Sequence, residues 1–179
     1  MAKFFNELDE NQTAFIQQQK MFFVASASSS GRIQLSPKGL DSFRILDNKS
    51  VAYLDLTGSG NEAAAHIKND GRLTIMFCSF ENNPLIIRLY GKGRVILPGR
   101  EDWEKFFPLF EPLKGYRQII HLSIESLQTS CGYGVPLYDY AGDRDTIIRW
   151  AEKTGESGLV DYRRQNNKKS IDGFPADVL

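Results

Sequence analysis

The residues with chemical potential fall in three short segments, each beside a glycine or a proline. Gly58-Ser59-Gly60-Asn61-Glu62-Ala63 has the spacing of a Gly-x-Gly-x-x-Ala dinucleotide fingerprint, with Glu81 about twenty residues further on. Glycines ahead of a helix present free N–H groups to an anion, ideally a phosphate. The same stretch also reads as a plain capped helix: Ser59 and Glu62 have capping-box spacing, and a carboxylate at Glu62 repels a phosphate. Leu35-Ser36-Pro37-Lys38-Gly39 sets a hydroxyl and an ammonium two residues apart, an anion clamp at a strand end or else a solvated turn. The third segment is Gln128-Thr129-Ser130-Cys131-Gly132-Tyr133-Gly134-Val135-Pro136, followed by Leu137-Tyr138-Asp139-Tyr140. Its glycines allow close backbone approach and its tyrosines offer flat faces with polar tips, as a planar ligand edge or a covering loop requires.

The other reactive side chains carry less. Cys131 has no histidine beside it in sequence and reads as a structural or ligand-lining thiol. His66 and His121 read as structural histidines, Trp103 and Trp150 as packing residues, and Arg163-Arg164 with Lys168-Lys169 as a solvated face. Cys78, Cys131, His66 and His121 lack the close pairing of a zinc site.

Strands and short helices must position these segments. Met21–Ala27 reads as a buried aromatic strand, Ser28–Gly31 as a turn, and Arg32–Ser36 as an alternating strand. Pro37 and Gly39 break the chain. Strands follow near residues 43–46 and 51–56, then an alanine-rich helix over Asn61–Asn69. Two long strands, 72–80 and 85–97, are joined by Glu81-Asn82-Asn83-Pro84, and the apolar run Leu85–Tyr90 predicts burial on both faces. Gly91 and Gly93 predict a bulge or tight bend. The last main strand spans Arg117–Ser126, and helices are expected over residues 8–20, 100–107, 144–153 and 158–167. A dinucleotide-binding fold does not follow from the glycine motif, because the Gly58–Gly71 crossover is short and the chain continues in hairpins. Hairpin-linked strands with helices at the edges predict a mainly β single domain over 1–179, a small antiparallel barrel.

Composition is consistent with this. The 179 residues carry 22 Lys plus Arg against 22 Asp plus Glu, so no net field favours nucleic acid or an anionic membrane. No apolar run approaches the ~20 residues of a membrane span. The polar start does not read as a signal peptide, and two cysteines are too few for a disulfide framework, so a cytoplasmic location is expected.

Taken in order, Phe23–Ala27, Leu35–Arg44, Val51–Glu62, Ile75–Cys78, Arg88–Gly93, Gln128–Pro136 and Ser170–Gly173 resemble the pyridoxamine 5'-phosphate oxidase-like family of FMN-binding split barrels. The likeness covers almost the whole chain and is nearest to an uncharacterised branch with Ser-Pro-Lys-Gly and Cys-Gly-Tyr-Gly-Val-Pro. The resemblance implies a six-stranded antiparallel Greek-key split barrel with flanking helices. It implies a homodimer with a flavin at the subunit interface and a small-molecule substrate. It carries over Ser36, Lys38, Thr57, Ser59 and Asn61 as phosphate and ribityl contacts, and Cys131, Gly132 and Tyr133, of the same chain or of its partner, as neighbours of the isoalloxazine. The activity implied is that of an FMN-dependent oxidoreductase, with an F420-dependent reductase or a non-catalytic flavin-binding module as alternatives. Two departures set the chain apart from the oxidases proper. Glu62-Ala63 stand where those enzymes carry an Arg-Lys pair, and Ser170-Ile171-Asp172-Gly173-Phe174-Pro175 replaces their Arg-x-His segment.

Overall fold

The computed structural model describes residues 2–177. Its strands are β1 (Lys3–Phe5), β2 (Phe22–Ser26), β3 (Gln34–Lys38), β4 (Phe43–Asp47), β5 (Ser50–Leu56), β6 (Arg72–Cys78), β7 (Ile86–Ile96) and β8 (Tyr116–Ser130). Its helices are α1 (Glu10–Gln18), α2 (Glu62–Asn69), α3 (Trp103–Phe106) and α4 (Thr146–Asn166). All strands pair antiparallel in one sheet of order β3-β2-β6-β7-β8-β5-β4. β1 lies beside the far half of β8, with Lys3 opposite Thr129. The curled, mainly β split barrel is therefore the architecture expected, with eight strands rather than six. The additions are short or peripheral, as β1 is three residues long.

The sheet curls because one face is strongly apolar. Phe22, Val24, Tyr53, Phe77 and Leu89 point inward, and Phe22 packs its ring against Phe43 at 5.1 Å and Tyr53 at 5.5 Å. A second cluster covers the outer face of β5 and β8: Trp103 and Phe106 pack over Leu54 and Ile119. That cover corrects one expectation. Burial on both faces is found instead in β5, where Val51 to Asp55 are all buried, and at the start of β8, where Arg117 to Ile120 are, whereas in β7 buried and half-buried residues alternate as far as Gly91, and Lys92 and Arg94 are exposed. An apolar run alone cannot say where α3 will dock.

Backbone geometry brings the seam of the barrel together. Pro37 does not end β3 but sits within it, tolerated because β3 is an edge strand. The chain then crosses from edge β3 to edge β4 through Gly39-Leu40-Asp41-Ser42. Leu40 (φ 62°) and Asp41 (φ 50°) are both left-handed, as a type I' turn demands and as non-glycine residues resist. Ser42 Oγ donates to Gly39 O at 2.7 Å, and Arg44 Nη1 donates to Asp41 O at 2.9 Å and Asp41 Oδ1 at 3.0 Å. At Gly91 the β7–β8 register shifts, and a Cβ there would lie 1.9 Å from Ser123 O. That contact is the physical reason for the predicted bulge.

The end of the chain is helical with a break, as expected. Gly155 (φ 70°, ψ 165°) interrupts α4. Trp150 and Tyr162 would stand about 18 Å apart along a straight helix, yet their ring centroids are 5.1 Å apart. The chain therefore folds back at Gly155, and residues of both arms line one cleft with β2, β3 and the turn after β5.

Candidate functional site

Where the seam, the turn after β5 and α4 converge, the surface opens into a cleft of two adjoining compartments. One is narrow and polar, with a volume of about 340 Å3, and is bordered by Ser36, Lys38, Asp55, Ser59 and Arg117. The other is wide and apolar, about 1190 Å3, lying between the outward face of β2–β3 and α4. Pro37, Lys38, Gly58 and Ser59 border both. Two of the three segments singled out by residue type thus meet in space.

A buried carboxylate organises the polar compartment. Asp55 is 2% exposed within the buried, mainly apolar run Val51–Asp55 of β5. Its Oδ1 accepts from Lys38 Nζ at 3.0 Å, across the seam. Its Oδ2 accepts from Arg117 Nε at 2.8 Å and from Gln118 Nε2 at 2.8 Å. Burial alone would raise the Asp55 pKa, but the Arg117 and Lys38 charges and their hydrogen bonds outweigh it and hold the carboxyl well below the usual carboxylate range. Asp55 is therefore ionised and fixes the direction of both cations. Lys38 keeps donors to spare, since an ammonium has three and Asp55 takes one.

The turn after β5 is tied down from behind. Arg117 Nη1 donates to Gly60 O and to Asn167 Oδ1, both at 2.9 Å. Asn167 Nδ2 donates to Gly58 O at 3.1 Å, so Asn167 holds the turn from the far end of α4. Arg163 is buried and donates from Nε to Thr57 Oγ1 at 3.0 Å and from Nη2 to Tyr116 O at 3.2 Å. Burial lowers its pKa from the ordinary guanidinium value, although an arginine stays charged. Around this turn Lys38, Arg117 and Arg163 face Asp55 and Glu62, an excess of one positive charge.

The eight residues expected at the site separate into three groups. Ser36, Lys38, Thr57 and Ser59 border the cleft. Thr57 already accepts from Arg163, and its own hydroxyl hydrogen stays free to donate. Asn61 does not border the cleft; it is buried, its Oδ1 accepting from Gln118 Nε2 at 2.8 Å, and it supports the turn. Cys131, Gly132 and Tyr133 lie away from the cleft of their own chain. They follow the far end of β8, whereas Arg117 is near its start, and about 45 Å of strand separates them. Cys131 and Tyr133 are exposed, and Gly132 packs its backbone against Leu85. The tail of the same segment does return: Tyr138, Asp139 and Tyr140 border the apolar compartment.

Helix α2 differs from the capping-box expectation. It starts at Glu62 with Asn61 as N-cap and no side-chain cap. The Glu62 carboxylate instead accepts from Ile171 N at 3.1 Å, which binds the C-terminal segment to the helix. Ser59 is thereby left to the cleft.

Sequence reasoning missed Asp55, Arg117, Gln118, Arg163 and Asn167. One signal was available: a carboxylate in Val51-Ala52-Tyr53-Leu54-Asp55-Leu56 has to find a cation when that strand is buried. Arg163 was read as part of a solvated face and is buried instead, because the fold at Gly155 turns it inward. Trp103 does pack in the second cluster, while Trp150 borders the apolar compartment. His66 is buried with Nδ1 3.0 Å from Ser26 Oγ, a structural role as expected. Among the described residues no cluster could hold a metal ion, and no helix is long and apolar enough to cross a membrane.

Comparison with known proteins agrees on the family. The sequence profile of pyridoxamine 5'-phosphate oxidase matches residues 8–131. The pyridoxamine 5'-phosphate oxidase family protein ustO of Aspergillus flavus is 40% identical over 194 residues, covering 98% of this chain and 78% of that protein. Among solved structures, a putative pyridoxamine 5'-phosphate oxidase from Lactobacillus delbrueckii superimposes with a TM-score of 0.56 at 20% identity, covering 69% of this chain and 94% of that one. HupZ of Group A Streptococcus gives 0.53 at 20% identity, covering 67% of this chain and 91% of that one. These two structures share the fold.

Proposed function

The chain belongs to the pyridoxamine 5'-phosphate oxidase family, and from that premise we propose that it is an FMN-binding oxidoreductase whose polar compartment takes the flavin phosphate. The observation that carries the reading is the Lys38–Asp55–Arg117 arrangement. A buried anion orients two cations toward a turn of small residues, and the net charge there suits a phosphate. The residues present fit the group even though Glu62-Ala63 replace the family's Arg-Lys pair. Lys38, delivered from the opposite edge of the seam, supplies the charge, and the Ile171 N–H occupies the Glu62 carboxylate.

When bound, FMN would supply two-electron redox chemistry that no side chain here offers. The chain's part is to bind and orient. Lys38 neutralises phosphate charge; Ser36, Thr57 and Ser59 offer hydroxyl donors; Arg117 holds the Gly60 carbonyl away from the anion. The reading includes a homodimer in which each Cys131–Tyr133 loop serves the partner's flavin. The position of the loop supports it, since Cys131, Gly132 and Tyr133 do not border the cleft of their own chain, and Cys131 and Tyr133 are exposed.

The test is the absorption spectrum of the purified protein, with the released chromophore identified by mass. A yellow protein releasing FMN is the expected result. A colourless protein that takes up no added FMN overturns the reading. Lys38→Glu places a carboxylate where the phosphate is to sit. It should lower FMN occupancy at least tenfold, and full occupancy in that variant would refute the role of Lys38.

A further inference from the structure

The wide compartment is made of different material from the narrow one. Phe80 and Tyr138 stack at 5.4 Å with 26° between ring planes. Trp150 and Tyr162 meet edge to face at 5.1 Å. Phe23 and Ile147 add apolar surface to the same compartment. Flat walls of this kind select flat ligands, because aromatic rings stack best on rings of the same shape. The volume of about 1190 Å3 exceeds the ~300–1,000 Å3 usual for one small-molecule site. There is room for a second molecule beside a flavin.

Charge at the border of this compartment is balanced. Lys20, Lys38 and Arg144 face Glu81, Asp139 and Asp143. Lys38 is bonded to Asp55, and Lys20 stands over the Tyr140 ring at 5.8 Å from its centroid. Nothing there repeats the buried, doubly cationic arrangement of the polar compartment. A phosphorylated ligand would meet Glu81, Asp139 and Asp143 as well as the three cations, so the border offers a dianion no net attraction.

We propose that the wide compartment binds the reaction partner of the flavin, and that this partner is a flat, uncharged aromatic molecule rather than a phosphorylated one. The redox role of that molecule rests on the flavin reading; the preference of the compartment rests on its own walls and charge.

The test is isothermal titration calorimetry of the full-length protein, first saturated with FMN, using 2-naphthol and 2-naphthyl phosphate as a matched pair. The expected result is measurable binding of 2-naphthol, with the phosphate ester at least tenfold weaker. Trp150→Ala should weaken 2-naphthol about tenfold and Tyr138→Ala about threefold, while FMN affinity changes by less than threefold. Tyr138 lies on an exposed loop, so its variant remains informative if removal of Trp150 disturbs folding, which circular dichroism monitors. Equal or tighter binding of the phosphate ester overturns the proposal. So does a variant pair that leaves 2-naphthol binding unchanged, or a Trp150→Ala protein that loses FMN as steeply as it loses 2-naphthol. Should the protein take up no FMN yet still prefer 2-naphthol through Trp150 and Tyr138, the flavin reading falls and the preference of the compartment stands.

Discussion

The two compartments of the cleft are neighbours built on opposite principles. The narrow one is fixed from behind: Asp55, Arg117, Gln118, Asn61 and Asn167 form a buried network whose members are partnered. The wide one is walled in part by exposed side chains, Tyr138 at 67% and Tyr140 at 54% exposure. A partnered buried network has one low-energy arrangement, since moving any member strands another in a low-dielectric interior. An exposed aromatic wall has many arrangements of similar energy. One end of the cleft is thus preorganised for a constant group, and the other can adapt to a variable one.

The contrast can be broken most severely at its centre. Asp55→Asn leaves Arg117 and Lys38 without their anion and should destabilise the protein by about 3–5 kcal/mol, measured by urea unfolding. Next, Asn167→Ala removes one of the two acceptors of Arg117 Nη1, leaving Gly60 O, and frees the Gly58 carbonyl. It should cost about 2 kcal/mol and loosen FMN, leaving 2-naphthol binding unchanged.

Acid titration sharpens the comparison further. The folded-state pKa of Asp55 is depressed, so its contribution is present in full above the usual carboxylate value near 3.9 and is lost as pH falls below it. Wild-type stability should therefore be level in this respect from about pH 5 upward and fall steeply below about pH 4. Asp55→Asn should show a shallower acid limb, and an identical limb in both proteins would remove Asp55 from the account. The smallest expected effects lie at the rim. Leu40→Asn puts a residue tolerant of left-handed φ into the seam turn and should stabilise by about 0.5–1 kcal/mol. Tyr138→Ala should change stability by less than about 0.5 kcal/mol.

The same division governs what could be read from sequence. β2, β6 and β7 were legible because alternating or continuous apolar runs bounded by turn residues are local signals. The convergence of Ser36 and Lys38 with the Thr57–Ser59 turn was legible through family resemblance, which stores long-range geometry that the residues do not display. The network was not legible, because Arg117, Arg163 and Asn167 reach the β5 turn from far along the chain, and nothing local distinguishes a buried arginine from a solvated one. The aromatic wall was half legible: the tyrosines after Pro136 were noted as flat surfaces, but Trp150 needed the fold at Gly155 to reach them. The length of the last strand was only partly legible: β8 runs on to Ser130, four residues past the predicted end at Ser126, and so carries Cys131 away from the cleft of its own chain.

The pairing of β1 with β8 has a consequence for how the protein is made. Lys3 waits for Thr129, nearly three quarters of the chain later. At common rates of synthesis that is on the order of 10 s during which Lys3-Phe4-Phe5 has left the ribosome with no native partner. The hairpins β2–β3, β4–β5 and β6–β7 join neighbours in the chain and can close in the meantime. The strand born first is thus among the last to be housed.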